Sequence, residues 1–185
     1  IPIIGVVPAI KPAAALSQSK VIGLLATPAT VARSYTAELV TNYAADCQLV
    51  AVGNTRLVEI AEQRIRGIAV DYSEVKSILK PFLEAEKEQH LDTIVLGCTH
   101  FPLLSDILIE ILPASISLVD SSAAIARQAK KVLELVVPEK LIAIQSNQNQ
   151  KQLPRHRCLM TRLIDDNGLA EGLIHYGFSS PEIFN

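Results

Sequence analysis

This sequence contains no apolar run close to the roughly 18 to 20 residues that a membrane helix needs, although hydrophobic residues make up 49% of its 185 positions. No membrane partner is expected. No basic segment leads into an apolar stretch and a cleavage site, so no signal peptide is read. A strong charge of either sign is lacking as well. Seventeen Lys and Arg stand against 19 Asp and Glu, a net charge of −2, which removes the general electrostatic reason to expect nucleic acid. Cysteine is scarce. Cys47, Cys98 and Cys158 are three and cannot all pair with one another, which argues against a disulfide scaffold and for a reducing cytoplasm. An initiating methionine is absent too. The chain opens on Ile1, its one methionine is Met160, and IPIIGVV reads as a strand already under way. The expectation is a piece whose upstream part was removed, left out or lies elsewhere.

What is present is an alternation of apolar runs and helical patterns. Ile3 to Val7 and Val21 to Ala26 read as buried strands. Thr30 to Ala45 reads as a helix with Val31, Tyr35, Leu39 and Tyr43 on one face at spacing four. Cys47 to Val52 is a short strand, and Leu57 to Arg66 a helix that Gly67 ends. Ser73 is suited to cap a helix through about Lys87, which Pro81 should kink or divide. Thr93 to Gly97 (strand), Pro102 to Leu112 (helix), Ser117 to Asp120 (strand) and Ala123 to Leu135 (helix) follow. Such alternation predicts an α/β fold with a largely parallel sheet flanked by helices. Pro138 to Pro154 differs: a short apolar patch, Leu141 to Ile144, precedes the polar tract QSNQNQKQ, which reads as a solvated loop. Lys151, Arg155, His156, Arg157 and Arg162 form a basic cluster that reads as surface rather than as an anion patch. Cys158 to Leu163 reads as a last strand. Asp165 to Tyr176 reads as a last helix, weakened by Gly168 and Gly172.

The stretch DTIVLGCTHFPLL, Asp92 to Leu104, carries the chemistry. In open parallel sheets ligands bind at the carboxyl ends of strands, and Cys98 falls at such an end. Thr99 is placed to cap the following helix and Pro102 to sit in its first turn. A helix N-terminus there would direct N–H groups at the thiol and favour thiolate. His100 would add charge or relay a proton. A small buried cysteine at a strand end is the plain alternative. Cys98 and His100 supply only two metal ligands, short of a zinc site, so no metal is expected. A Cys–His hydrolase lacks an orienting third group. Two other strand ends are similar. ATPAT places Thr27 and Thr30 to cap a helix or bind a carboxylate, and VDSSAA places Asp120 and Ser121 as a cap. Together they would floor a cleft for a small zwitterion or anion. Glu59 and Glu62 share a helix face at spacing three, and the surrounding apolar positions leave open which of them points inward.

GCTHFPLL, Gly97 to Leu104, resembles the second catalytic motif of the bacterial glutamate racemases. The likeness extends over nearly the whole chain: GVVPAIKPA at Gly5 to Ala13, GLLAT at Gly23 to Thr27, RSYT at Arg33 to Thr36, LVD-S at Leu118 to Ser121, and YGF at Tyr176 to Phe178. The resemblance implies an isomerase: a cofactor-independent racemase that interconverts L- and D-glutamate by two thiols, for peptidoglycan and thus cell-wall synthesis and cell shape. It implies two similar α/β domains with glutamate between them. Cys98 then corresponds to the second catalytic thiol, His100 to its proton-steering neighbour, and Glu62 to an assisting acid. Thr99, Thr27 and Thr30 correspond to substrate-binding positions.

The family's Asn-rich motif with the first catalytic cysteine does not occur here, and Ser122 stands where a glycine is common. By the family's layout, residues 8–118 form the second domain, and 1–7 with 119–185 a remnant of the first. The chain is thus expected to be a C-terminal portion and inactive by itself. The open edge and bared apolar surface of that remnant are expected to favour aggregation or self-association, a homo-oligomer included. The alternatives are a non-catalytic binding or partner domain on the same fold, or a racemase of aspartate or another acidic amino acid.

Overall fold

A computed structural model describes residues 2–136, 156–162 and 167–184. The Leu141–Ile144 patch, the QSNQNQKQ tract, Lys151 and Arg155 lie outside the described residues. Two units emerge from the pattern of contacts. One comprises Ile3–Ala61 and Asp71–Ile125; the other comprises Ile1–Pro2, Glu62–Val70 and Ala126–Asn185.

In the first unit, β1 (Val21–Ala26) and β3 (Thr93–Leu96) are buried at every position. Continuous apolar runs of this kind belong in the middle of a parallel sheet covered on both faces. They lie there: the sheet order is β2-β1-β3-β4, with β2 spanning Gln48–Gly53 and β4 Ser117–Val119. All pairings are parallel, with Ile22 opposite both Leu49 and Thr93, and Ile94 opposite Leu118. The architecture is α/β. On one face, Ile10, Ala13 and Ala14 of α1 (Ile10–Leu16) and Leu39 of α3 (Ser34–Tyr43) pack with Ile22, Leu24, Ala26 and Val95. Helices α4 (Arg56–Ile65), α5 (Tyr72–Ile78), α6 (Lys80–Gln89) and α7 (Ser105–Ile111) bury Leu57, Ile60, Val75, Phe82, Ile107 and Leu108. Gly23 has no room for a side chain, since a Cβ would come 2.8 Å from Phe82 Cε1 and 2.9 Å from Ile94 Cγ1.

Several elements differ from the sequence expectation. Ile3 to Val7 is not a strand. Ile3, Val6 and Val7 are 93%, 53% and 40% exposed, and the Val7 carbonyl accepts from the Ser121 hydroxyl rather than from a strand amide. The helix expected over Thr30 to Ala45 is two helices, α2 (Pro28–Val31) and α3. The Thr36 hydroxyl donates to the Thr30 carbonyl at 2.7 Å and so occupies an acceptor that a continuous helix would use. Tyr35 and Tyr43 are about half exposed, at 48% and 47%. Pro81 divides its helical pattern as expected: α5 ends at Ile78 and α6 begins at Lys80, with the proline in its first turn. The cap of α5 is Asp71, not Ser73. Its Oδ1 accepts from the amides of Ser73 (2.8 Å) and Glu74 (3.4 Å).

The second unit is smaller in its regular structure. It holds the later turns of α8 (Ser122–Val136), α9 (Asn167–His175) and a parallel pair, β5 (Leu159–Met160) with β6 (Glu182–Ile183). The strand expected over Cys158 to Leu163 is thus two residues long, and β6 was not expected. Arg157 pairs with Glu182 at 2.7 Å. Gly172 sits against the Ile65 carbonyl, where any Cβ would collide. Close backbone approach explains a glycine inside α9 despite its helix cost. No helix among the described residues is long and apolar enough to cross a membrane.

Candidate active site

The site is assembled where β1, β3 and β4 end. Past Leu96, the Gly97 amide continues the ladder to the Leu25 carbonyl at 2.8 Å. A Cβ on Gly97 would lie 2.9 Å from Leu24 Cδ1 and 3.1 Å from Ala26 Cβ, so the backbone passes against β1 only because this residue is glycine. The chain then leaves the sheet at Cys98, which is half-buried. A 3-10 turn, Phe101–Leu104, follows with Phe101 and Leu104 wholly buried. The Phe101 amide donates to the Cys98 carbonyl and the Leu103 amide to that of His100, both at 3.1 Å. Cys98, Thr99 and His100 are therefore a short bridge clamped between a buried strand and a buried aromatic ring. The Cys98 Sγ lies 3.8 Å from His100 Nδ1, a sulfur–imidazole contact across which a proton can pass in either direction.

One sequence expectation fails here. No α-helix N-terminus meets the thiol: α7 begins at Ser105. The cap position of the 3-10 turn is His100 rather than Thr99, and no side chain caps it. Pro102 imposes the tight turn, and the Ser105 hydroxyl closes it by donating to the Pro102 carbonyl at 2.9 Å.

Cys98 and Thr99 line a shallow cleft of about 120 Å³, open to solvent, with Thr30, Arg33, Tyr35, Thr36, Asp120 and Ser121. That is smaller than a cavity which encloses its ligand on all sides. Thr27 stands behind Thr30. It caps α2 by accepting from the Thr30 amide at 3.3 Å, and the two hydroxyls are 3.0 Å apart. On the β4 side, Asp120 accepts from the Ser122 amide at 2.6 Å, as a cap of α8. Ser121 immediately precedes α8 and its carbonyl accepts from the Ile125 amide at 2.9 Å, while its hydroxyl donates to the Val7 carbonyl at 2.6 Å and fastens the irregular N-terminal segment to the cleft. The three strand ends expected to floor a site thus do meet around Cys98.

Other singled-out residues fall elsewhere. Cys47 precedes β2, at the amino-terminal end of the sheet, opposite to Cys98. Burial raises its pKa, and the neighbouring Asp46 carboxylate, 3.6 Å away, raises it further. Cys158 is a half-buried free thiol of the second unit, and neither of these cysteines lines the cleft. Glu59 and Glu62 are both exposed on α4, with Leu57, Ile60 and Ala61 turned inward instead. Glu59 is bound by Arg56 at 2.8 Å, and Arg56 also grips Glu74. Among the described residues no group of three or more His, Cys, Asp or Glu is placed to hold a metal ion.

Arg33, Tyr35 and Thr36 line the cleft, yet periodicity assigns Tyr35 to a buried helix face. The available signal was Thr27–Pro28, an N-cap followed by proline at N1. It marks a short separate helix and leaves the following RSYT free to turn toward the strand ends.

Comparison with known proteins agrees with this geometry. Residues 1–129 match the Asp/Glu/hydantoin racemase family. A glutamate racemase of Salmonella typhimurium is 51% identical over 138 residues, 75% of this chain and 48% of that protein. One from a Shewanella species is 43% identical over 182 residues, 98% of this chain and 64% of that protein. The chain therefore spans about half the length of the Salmonella relative. The crystal structure of Escherichia coli glutamate racemase, in complex with L-glutamate and the activator UDP-MurNAc-Ala, superimposes with a TM-score of 0.85 at 40% identity, covering all of this chain and 65% of that one. A glutamate racemase from Bacillus anthracis, 20% identical with a TM-score of 0.67, shares the fold. With the family match covering well over half of its length, the chain belongs to the Asp/Glu/hydantoin racemase family.

Proposed function

We propose that the Cys98 cleft is one half of a cofactor-independent glutamate racemase site, serving D-glutamate supply for peptidoglycan in a bacterial cytoplasm. The observation that carries the reading is the Cys98–His100 contact at a parallel strand end, facing a cleft that Thr30 and Thr99 also line. In this reading Cys98 exchanges a proton with the substrate α-carbon. A thiol suits the task because its ordinary pKa, near 8.5, lies close to working pH. His100 accepts or returns the thiol proton. Thr99 and Thr30 hydrogen-bond a substrate carboxylate, and Thr27 holds Thr30 in place. Glu62, exposed on α4, is the assisting acid by motif position. The domain division at residues 8–118, with 1–7 and 119–185 belonging to the other domain, is part of the same proposal.

Racemisation moves a proton off one face of the α-carbon and onto the other. A single fixed thiol reaches one face. Cys98 is the one cysteine that lines this cleft, so the chain by itself is proposed to bind glutamate and to be a poor racemase. Binding is tested by amide chemical shifts of the labelled chain. D- or L-glutamate should move the Gly97, Cys98 and Thr99 signals, and lysine should not. Titrations in which glutamate leaves those three amides unmoved would remove the reading. Aspartate matching glutamate would shift it to acidic amino acids in general.

A further inference from the structure

We propose that Arg33 selects anions at the mouth of the Cys98 cleft and that it takes a carboxylate of the substrate. The carboxylate's assignment to glutamate rests on the racemase reading; the anion selectivity does not. Among the described residues, Arg33 and Asp120 are the basic and the acidic side chain that line the cleft. They are not equivalent. Asp120 is already engaged, accepting from the Ser122 amide at 2.6 Å. The guanidinium of Arg33 is exposed and makes no hydrogen bond or ion pair among the described residues. Only its backbone is used: it occupies the N-cap position of α3, without a side-chain cap, and its carbonyl accepts from the Thr36 amide at 3.0 Å. The backbone is thus held while five N–H donors remain for a ligand. A planar fork of donors matches a carboxylate in a way that a point charge does not.

The complement of this lining is an acidic amino acid. Asp120 faces its ammonium, Arg33 one carboxylate, and the hydroxyls of Thr30 and Thr99 the other. A neutral amino acid would leave the guanidinium without a partner, so Arg33 would discriminate by charge, and its effect would weaken with salt.

The test needs no racemase activity. Cys98 in the intact chain is alkylated with iodoacetate and, separately, with iodoacetamide, and the modified peptide is quantified by mass spectrometry. In both reactions the thiolate attacks the CH2 carbon, an S–C bond forms and iodide leaves; the reagents differ in charge. The ratio of the two rates at Cys98 should exceed that at Cys47, where the Asp46 carboxylate 3.6 Å away repels an anion. Arg33→Gln should lower the Cys98 ratio about threefold, the size expected for unit charges roughly 8 Å apart in a mostly aqueous setting. Arg33→Lys should retain most of it. Raising ionic strength from about 0.01 M to about 1 M, which shortens the screening length from roughly 30 Å to 3 Å, should erase the wild-type preference and leave Arg33→Gln unchanged. A ratio unaltered by Arg33→Gln overturns the proposal, as does a ratio that ignores salt. D-glutamate is then added as a protecting ligand. Protection of wild-type Cys98 that needs several-fold more D-glutamate in Arg33→Gln supports the carboxylate contact; equal protection overturns that contact. Charge selectivity without any protection by glutamate would uphold Arg33 as the anion selector and count against the glutamate reading.

Discussion

Gly97→Ala is the sharpest single perturbation of the site that leaves every functional group in place. The added Cβ would lie 2.9 Å from Leu24 Cδ1, 3.1 Å from Ala26 Cβ and 3.4 Å from the Leu25 carbonyl oxygen. Comfortable carbon–carbon contacts lie near 3.5 to 4.0 Å, so the strand end must back away from β1 by roughly half an ångström or more. Leu24 and Ala26 are fully buried and have little room to yield. Overpacking of this kind costs about 1 to 3 kcal/mol, and the displaced segment is the one that carries Cys98. The variant should unfold at lower urea with an unchanged m-value, and the Cys98 alkylation rate should change as well. Gly5→Ala is the control, since nothing lies within 4 Å of its added Cβ; its midpoint should match wild type. An equal midpoint and an equal Cys98 rate in Gly97→Ala would refute the claim that β1 positions the thiol by close backbone approach.

Asp92 should make the fold acid-sensitive. Burial alone would raise its pKa, but hydrogen bonds from Ser19, Ser17, Gln18 and Thr93 prevail and hold it at about 2 against an ordinary 3.8. A depressed carboxylate stabilises the fold above pH 3.8, and that contribution disappears as pH falls through about 2. At full weight the difference would be ~2.4 kcal/mol, and solvent screening of a partly exposed group reduces it to about 1 kcal/mol. Asp92→Asn should lose that amount at pH 7 and show a flatter acid-unfolding curve than wild type; parallel curves would contradict this. Cys47→Ser should leave glutamate binding unchanged in a titration, since Cys47 lies at the other end of the sheet, and a weakened affinity would place it in the site. Thr36→Val removes the hydroxyl that satisfies the Thr30 carbonyl and should cost about 1 kcal/mol in denaturant unfolding; glutamate should also bind more weakly as the α2–α3 break relaxes.

The parallel sheet was legible because its central strands are unbroken apolar runs, VIGLLA and TIVL, between helical patterns. Cys98 was legible because glycine, a thiol, two polar residues and a proline follow such a run at once. Ile3 to Val7 misled for the complementary reason. Its apolar composition is that of a strand, but its Val7 carbonyl is taken by the Ser121 hydroxyl, a bond 114 residues apart in sequence that composition does not encode. The Thr30–Ala45 helix failed at a local bond, Thr36 to the Thr30 carbonyl, that spacing does not encode. Arg33 and Tyr35 were hidden with it, since their approach to the cleft depends on that break. Asp71 displaced Ser73 as a cap because an aspartate two residues earlier reaches both orphan amides.

The most direct test of the one-thiol reading is to incubate the chain with L- and, separately, D-glutamate in heavy water. α-Deuteration is followed by NMR and configuration by chiral chromatography. The account predicts deuterium entry into one enantiomer with its configuration retained, abolished by Cys98→Ser and intact in Cys47→Ser. Inversion that keeps pace with deuteration at enzymatic rates, roughly 1 per second or more, would contradict it by requiring a second acid–base group on the opposite face. Deuteration that persists at the wild-type rate in Cys98→Ser would equally show that this thiol is not the proton carrier.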